Sequence, residues 1–124
     1  MSNFGELEAT VMARLWGEPE PRSVREVLLA LQQDRPLAYT TVMTVMQRLY
    51  RKGMLRRTED SKAFLYSPTL SRADYTAQVM EEALTETADR TAALVHFADR
   101  VSAGEARTLL AALAARQDRS PGGR

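Results

Sequence analysis

The sequence predicts a mainly α-helical fold with one small β-hairpin, divided into an N-terminal head and a C-terminal helical region. Apolar residues recur at helical spacing in three segments before residue 53, and between residues 54 and 67 the pattern changes to that of short strands. Helical spacing then returns after residue 71. A length of 124 residues fits one domain with an added arm. We therefore expect a head over residues 1–70, a helical region over residues 71–116 and a flexible tail over residues 117–124.

The first two helices are predicted from an apolar stripe and a capping pattern. A stripe at i, i+4 and i+8 predicts a helix from about Glu6 to Trp16. Its residues are Leu7, Val11 and Leu15. The second helix begins after Ser23, because Ser23 and Glu26 have the spacing of a capping box, in which each side chain accepts from the other residue's amide. The apolar residues that follow predict its buried face: Val24, Val27, Leu28 and Leu31.

The third helix is predicted from about Thr40 to Lys52, after a break at Pro36. One of its faces is apolar and consists of Val42, Val45, Met46 and Leu49. The opposite face carries hydroxyl, amide and guanidinium groups, from Thr40, Thr41, Thr44, Gln47, Arg48 and Arg51. Gly53 stands where a left-handed residue is needed to end the helix. This helix therefore buries one face and presents a polar face to its surroundings.

A two-stranded hairpin is predicted next, from Met54 to Thr58 and from Lys62 to Ser67. Glu59, Asp60 and Ser61 form the predicted loop. Phe64 and Tyr66 alternate onto one face of the second strand. Three helices followed by a hairpin with basic strands make up the winged helix-turn-helix pattern.

The C-terminal region is predicted to be helical and to form a dimer. Ser71 is a good N-cap for a long helical region that ends at about Arg100, and Ser102 caps a last helix. A head of 70 residues cannot bury the apolar stripes of these helices, so a second copy of the chain is the economical partner. The predicted dimerisation residues are Tyr75, Val79, Leu84, Leu94, Val95, Phe97, Leu109, Leu110 and Leu113.

Composition argues against several classes of function. The chain has no cysteine and a single histidine, His96, so disulfides, thiolate metal sites and multi-histidine sites are excluded. No apolar run approaches the roughly 20 residues that span a bilayer. We expect no catalytic site, no metal, no cofactor and no membrane insertion, and a cytoplasmic location.

The N-terminal half carries a basic patch, although the net charge of the chain is only +1. Six basic and two acidic residues lie between Arg48 and Lys62, whereas seven basic and eight acidic residues lie from Ser71 onward. A helix that enters the major groove needs an apolar back and a front of short polar groups and arginines, and the third helix has both. A basic hairpin beside it suits phosphate contacts. The predicted DNA-binding residues are Thr40, Thr41, Met43, Thr44, Gln47, Arg48, Arg51, Lys52, Arg56, Arg57 and Lys62.

A family resemblance rests on this segment and on two others. The central motif consists of Thr41, Val42, Thr44, Arg48, Leu49, Lys52, Gly53 and Leu55. It resembles the recognition-helix signature of the penicillinase-repressor (BlaI/MecI type) winged-helix family. The family's first helix is matched by Val11, Met12, Leu15 and Trp16, and its second wing strand by Phe64 and Tyr66. The resemblance covers about residues 5–115.

The resemblance implies a homodimeric repressor whose heads occupy successive major grooves of a dyad operator and whose C-terminal helices form the dimer. In β-lactam-responsive members, the signal of a membrane sensor protease leads to cleavage of an Asn-Phe bond in the dimerisation helices. The matching bond is His96-Phe97, which makes it the candidate cleavage site and a sensor-linked protease a candidate partner. Copper-responsive members use C-terminal cysteines, which this chain lacks. Some staphylococcal members carry Lys and Arg at the positions of Thr40 and Met43, so the operator sequence does not transfer.

Two alternatives remain open at this point. One is a winged-helix repressor that a small molecule, bound near the dimer helices, releases from DNA. The other is a winged helix that serves only as a protein-interaction module. A module of this kind would not bind DNA at about 0.1 M salt, whereas the affinity of a repressor for DNA would fall steeply as salt rises.

Overall fold

Six helices and two strands follow one another in the computed structural model, which describes residues 4–119. The helices are α1 (Glu6–Trp16), α2 (Val24–Leu31), α3 (Tyr39–Arg51), α4 (Arg72–Thr85), α5 (Arg90–Ala98) and α6 (Ala103–Arg119). The strands are β1 (Leu55–Asp60) and β2 (Ala63–Pro68), which pair antiparallel as a hairpin. The predicted fold class, mainly α with a small hairpin wing, is confirmed.

One hydrophobic core joins α1, α2, α3 and the hairpin. It contains every apolar residue predicted for the buried faces of α2 and α3, and the hairpin adds Leu55 and Tyr66. The full set is Val11, Met12, Leu15, Val24, Val27, Leu28, Leu31, Val42, Val45, Met46, Leu49, Leu55 and Tyr66. Because α3 buries one side in this core, its opposite side is left for contacts outside the chain.

Local hydrogen bonds fix where the head's helices begin and end. At the start of α2, the Glu26 amide donates to Ser23 Oγ at 3.1 Å and the Ser23 amide donates to Glu26 Oε1 at 2.9 Å, as the capping box predicts. At the end of α3, Gly53 has a φ of 84°. The Gly53 amide donates to the Tyr50 carbonyl and the Met54 amide to the Leu49 carbonyl, both at 3.0 Å. This pair of bonds is a Schellman motif, and it turns the chain from α3 into β1.

The hairpin is longer and its turn tighter than the sequence predicted. Leu55 pairs with Pro68 and Asp60 pairs with Ala63, so only Ser61 and Lys62 remain in the turn. The predicted loop was wrong at Glu59 and Asp60, because both residues pair with β2 while their charged side chains stay exposed. Lys62, which was predicted to begin the second strand, lies in the turn. The base of the hairpin is held to the α1–α2 connection, since Arg22 and Tyr66 exchange backbone hydrogen bonds of 2.9 and 2.8 Å.

The predicted long helical region is divided into two helices. Helix α4 ends at Thr85, and Asp89 caps α5 by accepting from the Ala92 amide at 3.0 Å. Asp89 favours this break because a short acidic side chain satisfies the free amides of a new helix better than it supports the interior of one. Ser102 caps α6, as predicted, and it does so through reciprocal bonds with Glu105.

Contacts within the chain define two compact units, residues 1–81 and residues 82–124. The division into a head and a dimerisation region at residue 70 stays a prediction. In the second unit, no residue between 82 and 117 is buried, within the part whose exposure the structure describes. Of the predicted tail, residues 117–119 continue α6 and residues 120–124 lie outside the described residues. None of the described helices is both long and apolar enough to cross a membrane.

Candidate nucleic-acid interface

The outer face of α3 is polar and accessible. The buried positions of α3 lie on its inner side and are Val42, Val45, Met46 and Leu49. The predicted DNA-binding residues of α3 lie on the outer side, which we call the reading face. There Thr40, Thr41, Thr44, Arg48 and Arg51 are exposed, and Met43 and Gln47 are half-buried. An apolar back anchored in the core holds this face rigidly, which a groove-reading helix requires.

A cleft of about 420 Å³ lies beside this face, where α2, α3 and the hairpin meet. Its polar lining includes Ser23 and Arg25 from the start of α2, Gln47 from α3 and Lys62 from the hairpin turn. The predicted reading residue Met43 also lines it. Arg25 was not among the residues predicted for DNA binding, although its place two positions after the Ser23 cap marks it as the first cation of α2. The cleft thus brings two separate basic side chains to the edge of the reading face.

The two arginines of β1 lie on opposite faces of the hairpin, since successive side chains of a strand alternate. Arg56 is exposed, whereas Arg57 is half-buried on the face that also carries the buried Leu55. The Arg57 guanidinium carbon lies 4.1 Å from the ring centroid of Tyr50 and 4.1 Å from that of Phe64. The sequence analysis assigned no role to Tyr50, whose ring makes one of these two contacts. The alternation of side chains along a strand was the signal in the sequence that Arg56 and Arg57 lie on opposite faces and do not share one role.

Lys52 is exposed, and its ammonium group is paired with a buried carboxylate. Its Nζ lies 2.9 Å from Oε1 of Glu8, which is 5% exposed, and the Gly5 amide donates to the same oxygen at 3.0 Å. Burial raises the pKa of Glu8, but the hydrogen bonds from Lys52 and Gly5 and the charges of Lys52 and Arg48 outweigh it, so this pKa lies below its ordinary value. The charged pair fixes the last turn of α3 to the first turn of α1.

An aromatic cluster connects the start of α4 to the head. Tyr75 stacks on Phe4 with ring centroids 4.8 Å apart, and its ring lies 5.5 Å from that of Trp16. The Trp16 indole N–H donates to the Leu70 carbonyl at 2.9 Å. The Arg72 guanidinium lies 5.5 Å from the Trp16 ring centroid. Tyr75 was predicted to be a dimerisation residue; within one chain it packs on the head, and a contact with a second copy stays a prediction.

The remaining predicted dimerisation residues leave large apolar surfaces accessible. The most exposed of them are Leu94, Val95, Phe97, Leu109, Leu110 and Leu113. Val79 and Leu84 on α4 are half-buried. The His96-Phe97 bond lies inside α5, and both of its residues are exposed. Among the described residues, no group of three or more histidine, aspartate or glutamate side chains is arranged to hold a metal ion.

Comparison with known proteins identifies close relatives. The family model described as penicillinase repressor matches residues 4–115. The chain is 46% identical over 117 residues to the transcriptional regulator BlaI of Mycobacterium tuberculosis (strain CDC 1551 / Oshkosh), which covers 92% of this chain and 85% of the relative. The solution structure of the DNA-binding domain of the repressor BlaI is similar with a TM-score of 0.53 and 26% identity, over 59% of this chain and 88% of that one.

A second structure supports the fold alone. The crystal structure of MepR, a transcription regulator of the Staphylococcus aureus multidrug efflux pump MepA, is similar with a TM-score of 0.51. The two chains are 16% identical, and the similarity covers 94% of this chain and 80% of MepR.

Proposed function

The chain belongs to the penicillinase-repressor family, and from this we propose that it is a DNA-binding transcriptional repressor that reads its operator with the outer face of α3. The observation that carries the proposal is the two-sided character of α3, with Val42 and Leu49 fully buried and Thr44 and Arg48 exposed between α2 and a basic hairpin. The relatives are named as transcriptional regulators or repressors, which supports a role without catalysis.

The reading face offers both kinds of contact that specific DNA binding requires. Threonine hydroxyls and methyls suit base edges, and arginine suits guanine or phosphate. We assign base contacts to Thr40, Thr41, Met43, Thr44, Gln47 and Arg48. Phosphate contacts are assigned to Arg51, Arg56 and Lys62, which are exposed, and to Arg25 beside the cleft. Lys52 and Arg57 are engaged within the chain, so their proposed roles are to hold α3 and the hairpin in place.

The second unit supports binding as a homodimer. Its exposed apolar residues lie on α5 and α6, and none of its described residues is buried. A second copy would cover these surfaces through a two-fold interface, and two linked heads would then bind a dyad operator. Joining the heads raises the effective concentration of the second head to about the millimolar range. The dimer therefore determines the operator affinity as much as the reading face does.

Release from the operator is proposed to follow cleavage of the His96-Phe97 bond by a sensor-linked protease in the cytoplasm, where the operator DNA is. A cut at this bond separates Leu109, Leu110 and Leu113 on α6 from the head. It also places a new charged terminus next to an apolar surface, where an unpaired charge is unfavourable. The cut would thus dissociate the dimer and leave the reading face of α3 intact.

Selection from a randomised duplex library tests the DNA-binding proposal. The full chain should enrich a dyad sequence, and its affinity for that sequence should fall steeply between about 0.05 and 0.2 M salt. Arg48→Ala on α3 should weaken binding, whereas the matched change Arg14→Ala at an exposed position of α1 should leave it unchanged. Failure of the wild-type chain to bind any duplex at about 0.1 M salt would favour a protein-interaction module.

The release proposal is tested in cells exposed to a β-lactam, with the repressor followed by intact-mass analysis. Fragments that end at His96 would support it. An uncut repressor that leaves its operator would indicate release by a small molecule instead. An uncut repressor that stays bound would show that the signal is not a β-lactam.

A further inference from the structure

The geometry points to a positioning role for Arg57, and this inference rests on the proposed function. We propose that the Arg57 guanidinium clamps the hairpin to α3 and thereby sets where the hairpin meets the phosphate backbone. Its carbon Cζ lies 4.1 Å from each of two ring centroids, Tyr50 on α3 and Phe64 on β2. Arg57 itself belongs to β1. One cation therefore joins the recognition helix to both strands.

The strand pairing places Arg57 on the side of the hairpin that faces the head. Arg57 pairs with Tyr66, which is 2% exposed, and follows Leu55, which is also 2% exposed, by two positions. Phe64 lies on the same face, one diagonal step along β2. Arg56 lies on the opposite face. The side chain of Arg57 thus extends the packed face of the hairpin outward, where a phosphate contact would require it to leave that face.

The Arg57 guanidinium contacts the rings of Tyr50 and Phe64. No carboxylate in the described part of the chain forms an ion pair with Arg57. A guanidinium lying over an aromatic face is attracted by the ring, and the attraction grows as water is excluded. Arg57 is half-buried, while Tyr50 and Phe64 are 39% and 40% exposed. The clamp therefore stands at the rim of the core, at the last point where the hairpin is held.

The outer part of the hairpin depends on this point because two strands alone are marginally stable in water. Beyond Phe64 lie the turn and Lys62, which is a proposed phosphate contact. Without the clamp, the outer hairpin would leave its binding position in a fraction of the molecules, and the apparent affinity would fall with that fraction. The phosphate-binding charges themselves would remain in place.

Four variants of the full chain separate positioning from direct contact. The probe is the duplex that the wild-type chain selects from a randomised library. Arg57→Gln and Phe64→Leu should each weaken binding by on the order of tenfold, with little change in the salt slope. Phe64→Tyr keeps a ring and should bind like the wild type. Arg56→Gln should flatten the salt slope by about one phosphate contact.

Non-additivity provides the second readout. The double variant Arg57→Gln, Phe64→Leu should bind no more weakly than Arg57→Gln alone, because Arg57→Gln already removes the contact with Phe64. Amide hydrogen exchange of the free chain should show faster exchange in the outer hairpin for Arg57→Gln and Phe64→Leu, and no change for Arg56→Gln. This measurement needs no DNA and reports on the clamp even if the wild-type chain binds none.

The proposal is overturned if Arg57→Gln flattens the salt slope by about one contact while Phe64→Leu binds like the wild type, because Arg57 would then contact a phosphate. Unchanged hydrogen exchange in both clamp variants would also overturn it. Failure of the wild-type chain to select any duplex overturns the proposed function, and with it the role of the clamp in DNA binding.

Discussion

A single charged side chain in the head can hold one helix against another, and Glu8 is the clearest case. Its carboxylate is buried, yet its pKa is lowered by Lys52 and Gly5. A lowered pKa in the folded state means that the stabilisation is fully present above the unfolded pKa of about 4.3 and is lost as the pH falls through the folded value. The pair that anchors the end of α3 is therefore sensitive to acid and insensitive to changes near neutral pH.

Replacing Glu8 by Gln should destabilise the protein at neutral pH by about 1–2 kcal/mol, because a charged hydrogen bond to Lys52 is lost. The difference between variant and wild type should shrink as the pH falls below the unfolded pKa of about 4.3 and through the lower pKa that Glu8 has in the folded wild type, where its carboxylate takes up a proton. Chemical denaturation over a pH series measures this. The control is Glu6→Gln, an exposed carboxylate in the same helical turn. A pH-independent difference for Glu8→Gln would contradict the assigned cause.

Thr44 lies near the centre of the outer face of α3, so its replacement should affect sequence discrimination. Thr44→Val keeps the shape and removes the hydroxyl, and the preference for the selected duplex over a random one should fall by about 1–3 kcal/mol. Competition binding with both duplexes measures the change. Thr10→Val, an exposed threonine on α1, is the matched control and should leave the preference unchanged. An unchanged preference for Thr44→Val would place base reading elsewhere.

Whole elements were predictable where local chemistry determines them. The Ser23 cap, the buried stripes of α2 and α3 and the left-handed Gly53 all depend on residues within a few positions, and each was found as predicted. In the stripe of α1, Val11 and Leu15 are buried and Leu7 is partly buried. The partners of Lys52 and Arg57 were not predictable from the sequence. Glu8, which pairs with Lys52, lies far away in sequence on α1, and the contact of Phe64 with Arg57 depends on how the two strands pair. A basic residue predicts a cation on the surface, and only the tertiary fold shows which cations are already engaged.

The Schellman motif at the end of α3 gives a prediction at the scale of the element. A side chain at Gly53 would meet no atom within 4 Å, so Gly53→Ala should be opposed only by the backbone conformation. With a φ of 84°, the expected cost is about 1 kcal/mol of the free energy of unfolding. Gly17 has a φ of −85° and is the matched control, since Gly17→Ala should be neutral or slightly stabilising. Equal losses in thermal denaturation would contradict this reason.

At the scale of the whole molecule, the two units differ in whether their apolar residues are buried within the chain. The first unit has a core of its own, built from α1, α2, α3 and the hairpin. The second unit has helices with apolar side chains and no buried residue among those described between positions 82 and 117. Large apolar surfaces left accessible in a monomer generally mark an interface. The sequence alone predicted this contrast from the length of the head and the continued helical stripes.

Sedimentation tests the proposed dimer. Substituting one exposed leucine in each unit shows which unit carries the interface. The wild-type chain should sediment at about twice its monomer mass of 13.9 kDa. Leu110 on α6 is 66% exposed and Leu29 on α2 is 57% exposed, so within one chain a charge is tolerated equally at either position. Leu110→Glu should nevertheless give a monomer, because it places an unpaired charge in the proposed interface, whereas Leu29→Glu should remain a dimer. The monomeric variant should also lose about 10²- to 10⁴-fold in affinity for the dyad duplex, since its two heads are no longer linked. A Leu110→Glu chain that still sediments as a dimer would move the interface away from α6, and the argument that cleavage at His96-Phe97 releases DNA would fall with it.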